Sequence, residues 1–391
     1  MFNDKFTYGP VRKTEKDTLM SIISQSLHIP EERIQMTFSG IGLENFRCMK
    51  DGKRIVAGLG IYPMAQWFGG TKVPMAGITH VGVAPEYRGK GAAKALLVNL
   101  LRELHERQYP ISGLYPATLR LYRSVGYGRS GSRISYELHT DVIDVADRSL
   151  DMVPAEQGDE QAIFDAFAAQ ARQSAGLLER HPVIWRRRLE QKGQLIHKYL
   201  IKCGNRIEGY VLFAQSGQRM QEPMLILDYC VLTRNAGRRL LTFFADHRTM
   251  IPRVEWAGGP FDPLVYLLPE QKVKITGKSD WMTRIIHVKT ALETRGYASG
   301  LQGELHLCIT DEILPWNNGC FILRLQNGKL QVEPGGEGRI NLGIRELAAL
   351  YTGFQTPYEL RLTGLFEAPE EDMGLAAMIF AGPRPWMSEI Y

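Results

Sequence analysis

Val83-Ala84-Pro85-Glu86-Tyr87-Arg88-Gly89-Lys90-Gly91-Ala92-Ala93 is the stretch on which the reading of this chain turns. The apolar run Thr79-His80-Val81-Gly82-Val83 reads as a strand that enters a tight turn, and the turn opens onto a long amphipathic helix. In that helix Ala93, Leu96, Leu97, Leu100, Leu101 and Leu104 recur at the i, i+3, i+4, i+7 spacing, while Arg102, Glu103, Glu106 and Arg107 fall mostly on the other face. Arg88 sets a cation at the helix start, and Gly89, Gly91 and Ala93 keep that start free of bulk. The first N–H groups of a helix have no intrahelical partner, and the helix dipole favours an anion there. Glycine lets a phosphate approach without a Cβ in the way. The stretch therefore reads as a cradle for a pyrophosphate at a strand-to-helix junction.

Around it, residues 1–145 alternate helix and strand. A helical pattern covers 15–27, strands are expected at 55–61, 111–115 and 132–138, and 72–83 is one bent strand or a pair. Residues 118–124 form a short helix stopped by Gly126. A polar, acidic connector follows at 141–156. A second α/β region then runs to 285, with helices at 160–173 and 185–191 and strands at 197–203, 207–214 and 224–232. Its Arg234-Asn235-Ala236-Gly237-Arg238-Arg239 repeats the strand, turn and helix order of the first region and suggests a duplicated unit. The copy is spoiled: Arg239 stands where a small residue is needed, and the Val-x-Pro lead-in is absent. From 286 to 391 the pattern becomes α+β, with strands at 304–309, 320–326 and 329–334 and helices at 343–351 and 374–380. Asn327-Gly328 has hairpin chemistry.

The bulk numbers bound the answer. The chain has 391 residues, too long for one ordinary core. Its 44% apolar and 23% charged residues are those of a globular protein, and its net charge of +5 is spread without a basic block that would single out nucleic acid. Cys48, Cys203, Cys230, Cys308 and Cys320 are scattered with no metal-ligand spacing, so they read as reduced thiols of a cytoplasmic protein, and no metal is expected. No apolar run approaches the ~20 residues of a membrane helix, and Met1 to Pro10 does not read as a signal peptide.

Arg88-x-x-Gly91-x-Ala93, with its Val83-Ala84-Pro85 lead-in and following helix, resembles the acetyl-CoA signature of the GNAT acetyltransferases. The order of three parts resembles, within that group, the enhanced intracellular survival (Eis) family. The resemblance implies tandem GNAT folds, α/β in class: an active one at 1–145 and a degenerate one at 146–285. An α+β, sterol-carrier-protein-like domain at 286–391 would deliver the chain terminus to the active site. It further implies acetyl-CoA held by Val81, Gly82 and Val83 along the pantetheine arm. Arg88, Gly89, Lys90, Gly91, Ala92, Ala93 and Lys94 would stand around the pyrophosphate, and Ala117 and Thr118 would also contact the co-substrate. A homo-hexamer and a small cationic amine acceptor, of aminoglycoside, polyamine or lysine type, are also implied. A rival reading is a non-catalytic sensor that binds acyl-CoA or lipid.

By the same resemblance Tyr122, in Leu121-Tyr122-Arg123-Ser124-Val125-Gly126-Tyr127-Gly128, is the general acid that protonates the departing thiolate, and Tyr127 is structural. The general base is the main-chain carboxylate of Tyr391. A base is needed because an alkyl amine arrives as an ammonium of pKa near ~10. A carboxylate of reference pKa ~3.5 is a poor acceptor alone, but it can attract the cation and relay its proton through water. His80, at the end of the core strand, is the alternative base with a better-matched reference pKa. Glu389 is expected to help hold a cationic acceptor. The last residues stay apolar, with Trp386, Met387, Ile390 and Tyr391, so the tail is expected to dock rather than fray.

Overall fold

The structure, a computed structural model, describes residues 6–190, 194–214 and 222–391. Among these residues the principal sheet has thirteen strands. In spatial order they are Phe6–Pro10, Phe46–Asp51, Arg54–Phe68, Thr71–Val83, Ile111–Leu114, Lys274–Ile285, Gly128–His139, Arg253–Gly258, Met224–Val231, Arg206–Ala214, Ile196–Cys203 and Asp151–Pro154, with Leu178–Glu179 paired onto Arg54–Phe68 off this path. The Ala92–Glu106 helix lays Leu96, Leu97, Leu100, Leu101 and Leu104, all fully buried, onto the first half of the sheet. The Arg234–Asp246 helix does the same on the second half through Leu240, Leu241 and Phe244.

The two halves exchange strands. Lys274–Ile285, late in the central region, lies between Ile111–Leu114 and Gly128–His139 and pairs antiparallel with both. Gly128–His139 pairs on its far side with Arg253–Gly258. Each half of the sheet is thus completed by the other half's chain, and a cut at 145/146 separates strands that are neighbours in space. Sequence patterning did not reveal Lys274–Ile285 because its first half is largely exposed and polar; only Trp281 to Ile285 are buried throughout. The 141–156 connector contains the edge strand Asp151–Pro154, and the helix expected at 185–191 is Pro182–Leu189, position 191 lying outside the described residues.

The third region forms a four-stranded sheet in the order Lys329–Pro334, Gly319–Gln326, Gly303–Thr310, Ile340–Gly343. The expected hairpin is present: Gln326 pairs with Lys329, and Asn327 and Gly328 between them both have left-handed backbones. The Ile344–Thr352 helix packs across Gly128–His139 and Lys274–Ile285, closely enough that a Cβ on Gly128 would sit 2.1 Å from the Arg345 carbonyl oxygen. A buried ion pair fastens this junction, with Arg284 donating to both oxygens of Asp311 at 2.8 Å.

Cysteine chemistry departs from the expectation of five reduced thiols. Cys308 and Cys320 lie directly opposite each other in the Gly303–Thr310 and Gly319–Gln326 pair and are joined as a disulfide. Strand register, rather than sequence spacing, brings them together, so the inference of a reducing compartment from scattered cysteines does not carry. Among the described residues no helix is long and apolar enough to cross a membrane, and no cluster of His, Cys, Asp or Glu has metal-binding geometry.

Candidate active site

The phosphate cradle is built from backbone. Gly89 and Gly91 have φ of +75° and +84°, a conformation L side chains rarely adopt, and a Cβ on either would meet nothing within 4 Å. The turn therefore requires glycine and leaves open space above it. Gly91 is the N-cap of the Ala92–Glu106 helix, and no side chain caps it. Ala92 turns its methyl into the core, whereas Lys94 is exposed. Around the turn, Arg88 donates to the Ser26 carbonyl at 3.2 Å, Tyr87 donates to Asp51 at 3.0 Å, and the Lys90 ammonium lies over the Tyr87 ring. The Val83 N–H is already taken by the Ser26 hydroxyl at 3.2 Å, and Gly82 faces Ile23.

The counterpart in the central region is closed. Thr233 caps the Arg234–Asp246 helix by accepting from the Ala236 N–H at 3.2 Å, and its hydroxyl donates to Glu208 at 2.5 Å. The helix start thus already has a side-chain acceptor, backed by the Glu208 carboxylate, which also pairs with Arg206. Arg239 turns away to the Leu150 carbonyl.

A wedge opens beside the intact cradle. Thr71–Val83 and Ile111–Leu114 run parallel but pair only through Gly77 and Gly113, after which they diverge. A bulge accentuates the opening: Leu59 faces both His80 and Val81, and His80 has φ +54°. The wedge is a cavity of about 230 Å³, lined on one side by Thr79, His80 and Val81 and on the other by Tyr115, Ala117 and Tyr122. The Tyr391 ring occupies its floor. A Cβ on Gly77 would lie 2.8 Å from that ring and one on Gly113 would lie 3.1 Å from its hydroxyl, so this glycine pair forms the slot that admits it. Tyr62 meets the ring edge-on at 5.9 Å.

Tyr122 is buried with its side chain at the wedge, and burial pushes its phenol up to about 12, so it stays protonated at neutral pH. Tyr127 is fully buried and shares a 2.8 Å hydrogen bond with Ser112, as a structural residue should. Thr118 immediately precedes the Leu119–Arg123 helix that carries Tyr122. His80 departs from its expected chemistry. Burial, reinforced by Arg187 and Arg33, pulls its pKa down to about 4, so it is no better matched to an ammonium than a carboxylate is.

The tail reaches the wedge along a defined track. The Pro385 carbonyl accepts from Ser132 N–H at 3.1 Å, Trp386 N–H donates to the Ala175 carbonyl at 2.9 Å, and Tyr115 donates to the Met387 carbonyl at 3.2 Å. Arg133 and Arg188 both donate to the Ser388 carbonyl, at 3.1 and 3.0 Å. Met387 is fully buried and Ile390 is 57% exposed, so the apolar residues do not all dock. Glu389 is buried and accepts from Arg180 at 2.6 Å; Arg180 is itself bidentate to Asp228 at 2.6 and 2.9 Å. Glu389 therefore anchors the tail through one oxygen, a departure from its expected place among acceptor-binding groups, although it shares Arg180 with Asp228 and its second oxygen accepts no hydrogen bond. Beside the wedge a second cavity of about 240 Å³ shares Arg33, Arg187, Ile390 and Tyr391 with it and adds Arg133 and Arg188. This lining does not support the expectation of a cationic acceptor. The arginines gave no sequence signal, since they come from separated elements; Gly77 and Gly113, glycines inside strands, were the legible hints of the slot.

Two stretches, residues 7–130 and 176–285, match models of the acetyltransferase (GNAT) domain, and residues 288–388 match a model of the sterol carrier protein domain. A GCN5-related N-acetyltransferase from Anabaena variabilis is 40% identical, superimposes with a TM-score of 0.95, and the match covers 99% of this chain and 100% of that one. The chain belongs to the GCN5-related N-acetyltransferase family and is an acyltransferase. Within that family it is Eis-like: the N-acetyltransferase Eis of Mycobacterium tuberculosis (strain ATCC 25177 / H37Ra) is 26% identical over 303 residues, 72% of this chain and 71% of that protein. Eis1 from Mycobacterium abscessus, 20% identical, shares the fold with a TM-score of 0.82 over 99% of this chain and 100% of that one.

Proposed function

We propose that this protein is an acetyl-CoA-dependent N-acetyltransferase that transfers acetyl directly to a primary amine. The observation that carries the reading is one uncapped, glycine-lined helix start, at Gly89 and Gly91, joined by a single strand to a wedge holding Tyr122 and Tyr391. The residues fit the co-substrate. Arg88 to Lys94 would hold the pyrophosphate through backbone N–H groups and the three cations Arg88, Lys90 and Lys94, Val81 to Val83 would run beside the pantetheine arm, and Ala117 and Thr118 would face it. With the Val83 N–H engaged by Ser26, Val81 beside the His80 bulge is the stronger candidate for a backbone contact. When bound, acetyl-CoA supplies the acetyl group as a thioester.

The chain's own part is proton movement and positioning. Tyr122, held in the acid form by burial, donates to the departing sulfur. The Tyr391 main-chain carboxylate, fixed by the ring in its glycine slot, draws the ammonium in and accepts its proton through water. His80, depressed by burial and two guanidinium groups, is set aside as base and lines the wall. We assign the catalytic role to 1–145, completed by the strand Lys274–Ile285, and a structural role to 146–285. Residues 286–391 are assigned to tail delivery. Homo-hexameric assembly, implied by the resemblance, belongs to the same proposal.

Release of CoA thiol with a panel of primary amines tests it. Acceptor-dependent thiol above hydrolysis is expected, and its absence with every amine would overturn the enzyme reading for these acceptors. Adding residues after Tyr391 should lower turnover at least about tenfold while acetyl-CoA still binds; unchanged turnover would exclude the carboxylate as base.

A further inference from the structure

The acceptor site carries the wrong sign of charge for a polycation. Four guanidinium groups, Arg33, Arg133, Arg187 and Arg188, line the wedge and its neighbouring cavity. Glu389 is the single side-chain carboxylate in either lining; its Oε1 accepts from the fully buried Arg180 and from the Ser388 hydroxyl, while its buried Oε2 accepts no hydrogen bond. Asp228, held by the same Arg180 and by Tyr210, leaves that trio with one net negative charge, and together with the Tyr391 carboxylate this offsets only two of the four guanidinium charges. Asp280, close enough to influence Tyr115, is held by Ser132 at 2.7 Å and lies 3.7 to 4.0 Å from Lys278 and Arg129.

The partners of the arginines matter too. Arg133 is held by the Ser388 carbonyl and the Ser135 hydroxyl, and Arg188 by the carbonyls of Leu227 and Ser388. These are neutral acceptors that orient a guanidinium without cancelling its charge, although Arg188 also stands 3.9 Å from Glu389. Like charges brought together in a partly desolvated cleft repel an incoming cation, and planar guanidinium groups recognise carboxylate and phosphate by paired hydrogen bonds.

We propose that the natural acceptor is a primary amine that also carries an anionic group, a carboxylate or a phosphate. The amine would reach Tyr391 and Tyr122 in the wedge while the anion lies against Arg33, Arg133 and Arg188. This rests on the transferase reading above, since it concerns what that site accepts.

The test uses the full chain with four amines of equal length: 5-aminopentanoate, 5-aminopentyl phosphate, 1,5-diaminopentane and 1-aminopentane. At low salt, kcat/KM for at least one anionic amine should exceed that for the diamine by about tenfold, and the ratio should shrink in high salt. Arg33→Gln and Arg133→Gln should lower the ratio chiefly by raising KM for the anionic amines. Saturation-transfer NMR without acetyl-CoA gives an independent readout, with the anionic amines expected to bind more tightly than the diamine. The two anionic arms tell carboxylate from phosphate. A diamine that binds and reacts as well as or better than both anionic amines would overturn this inference and leave the transferase reading standing. Failure of all four amines to react would count against that reading, while the NMR comparison would still decide the charge preference.

Discussion

At the scale of single residues, the site depends on where protons sit. Tyr122 is proposed as the acid on the resemblance of Leu121 to Gly128, which carries no record of its protonation, because a phenol pushed up to about 12 is a product of burial. It remains an acid over the working pH range, so its ionisation should not limit activity below about pH 11. Tyr122→Phe should lower kcat by about 10²-fold or more while leaving the Kd for acetyl-CoA within about twofold, as rapid-mixing kinetics and calorimetry would show; equal losses in both would mark Tyr122 as structural. His80 gives a second, opposite titration. Its folded pKa of about 4 lies below the reference value of 6.5, so the unfolded state binds the extra proton. Its neutral form supports the fold above pH 6.5, and that support is lost as pH falls from 6.5 towards 4. His80→Asn, which tolerates the same φ, should narrow the difference between urea midpoints measured at pH 7.5 and 4.5.

At the scale of elements, local sequence decided the cradle almost completely. Gly89 and Gly91 must be glycine because both have left-handed backbones, and the amphipathic pattern after them gives the helix that they start. Gly91→Val should therefore strain the turn by about 1–2 kcal/mol and place a side chain in the cradle. The expected outcome is a rise of at least about tenfold in KM for acetyl-CoA, with a smaller effect on kcat. The spoiled second copy was legible by the same logic, yet the feature that closes it, Thr233 backed by Glu208, lies on two strands' ends and only the fold brings these together. The wedge was half legible. One bent strand or a strand pair was expected at 72–83, but the His80 bulge and the Gly77–Gly113 slot depend on which strands become neighbours.

At the scale of the whole molecule, the exchanged strands make the parts interdependent. Lys274–Ile285 closes the N-terminal half of the sheet, and Arg284 at its end is fully buried against Asp311 of the third region. Asp311→Ala would leave that guanidinium buried beside no carboxylate. A loss of about 3–5 kcal/mol is expected, seen as a lower urea midpoint that the activity of both the wedge and the tail should follow. The sequence by itself determined the glycine turn at Gly89 and Gly91, the amphipathic helix it starts and the order of three regions, because these depend on periodicity, glycine conformations and apolar content along a short span. Tertiary structure alone decided the strand exchange, the Cys308–Cys320 pairing, the diversion of Glu389 to Arg180 and the gathering of four arginines around Tyr391. Each of those joins residues far apart in the chain through sheet register and burial, and charge acts through space, so no local pattern records which groups will share a cleft.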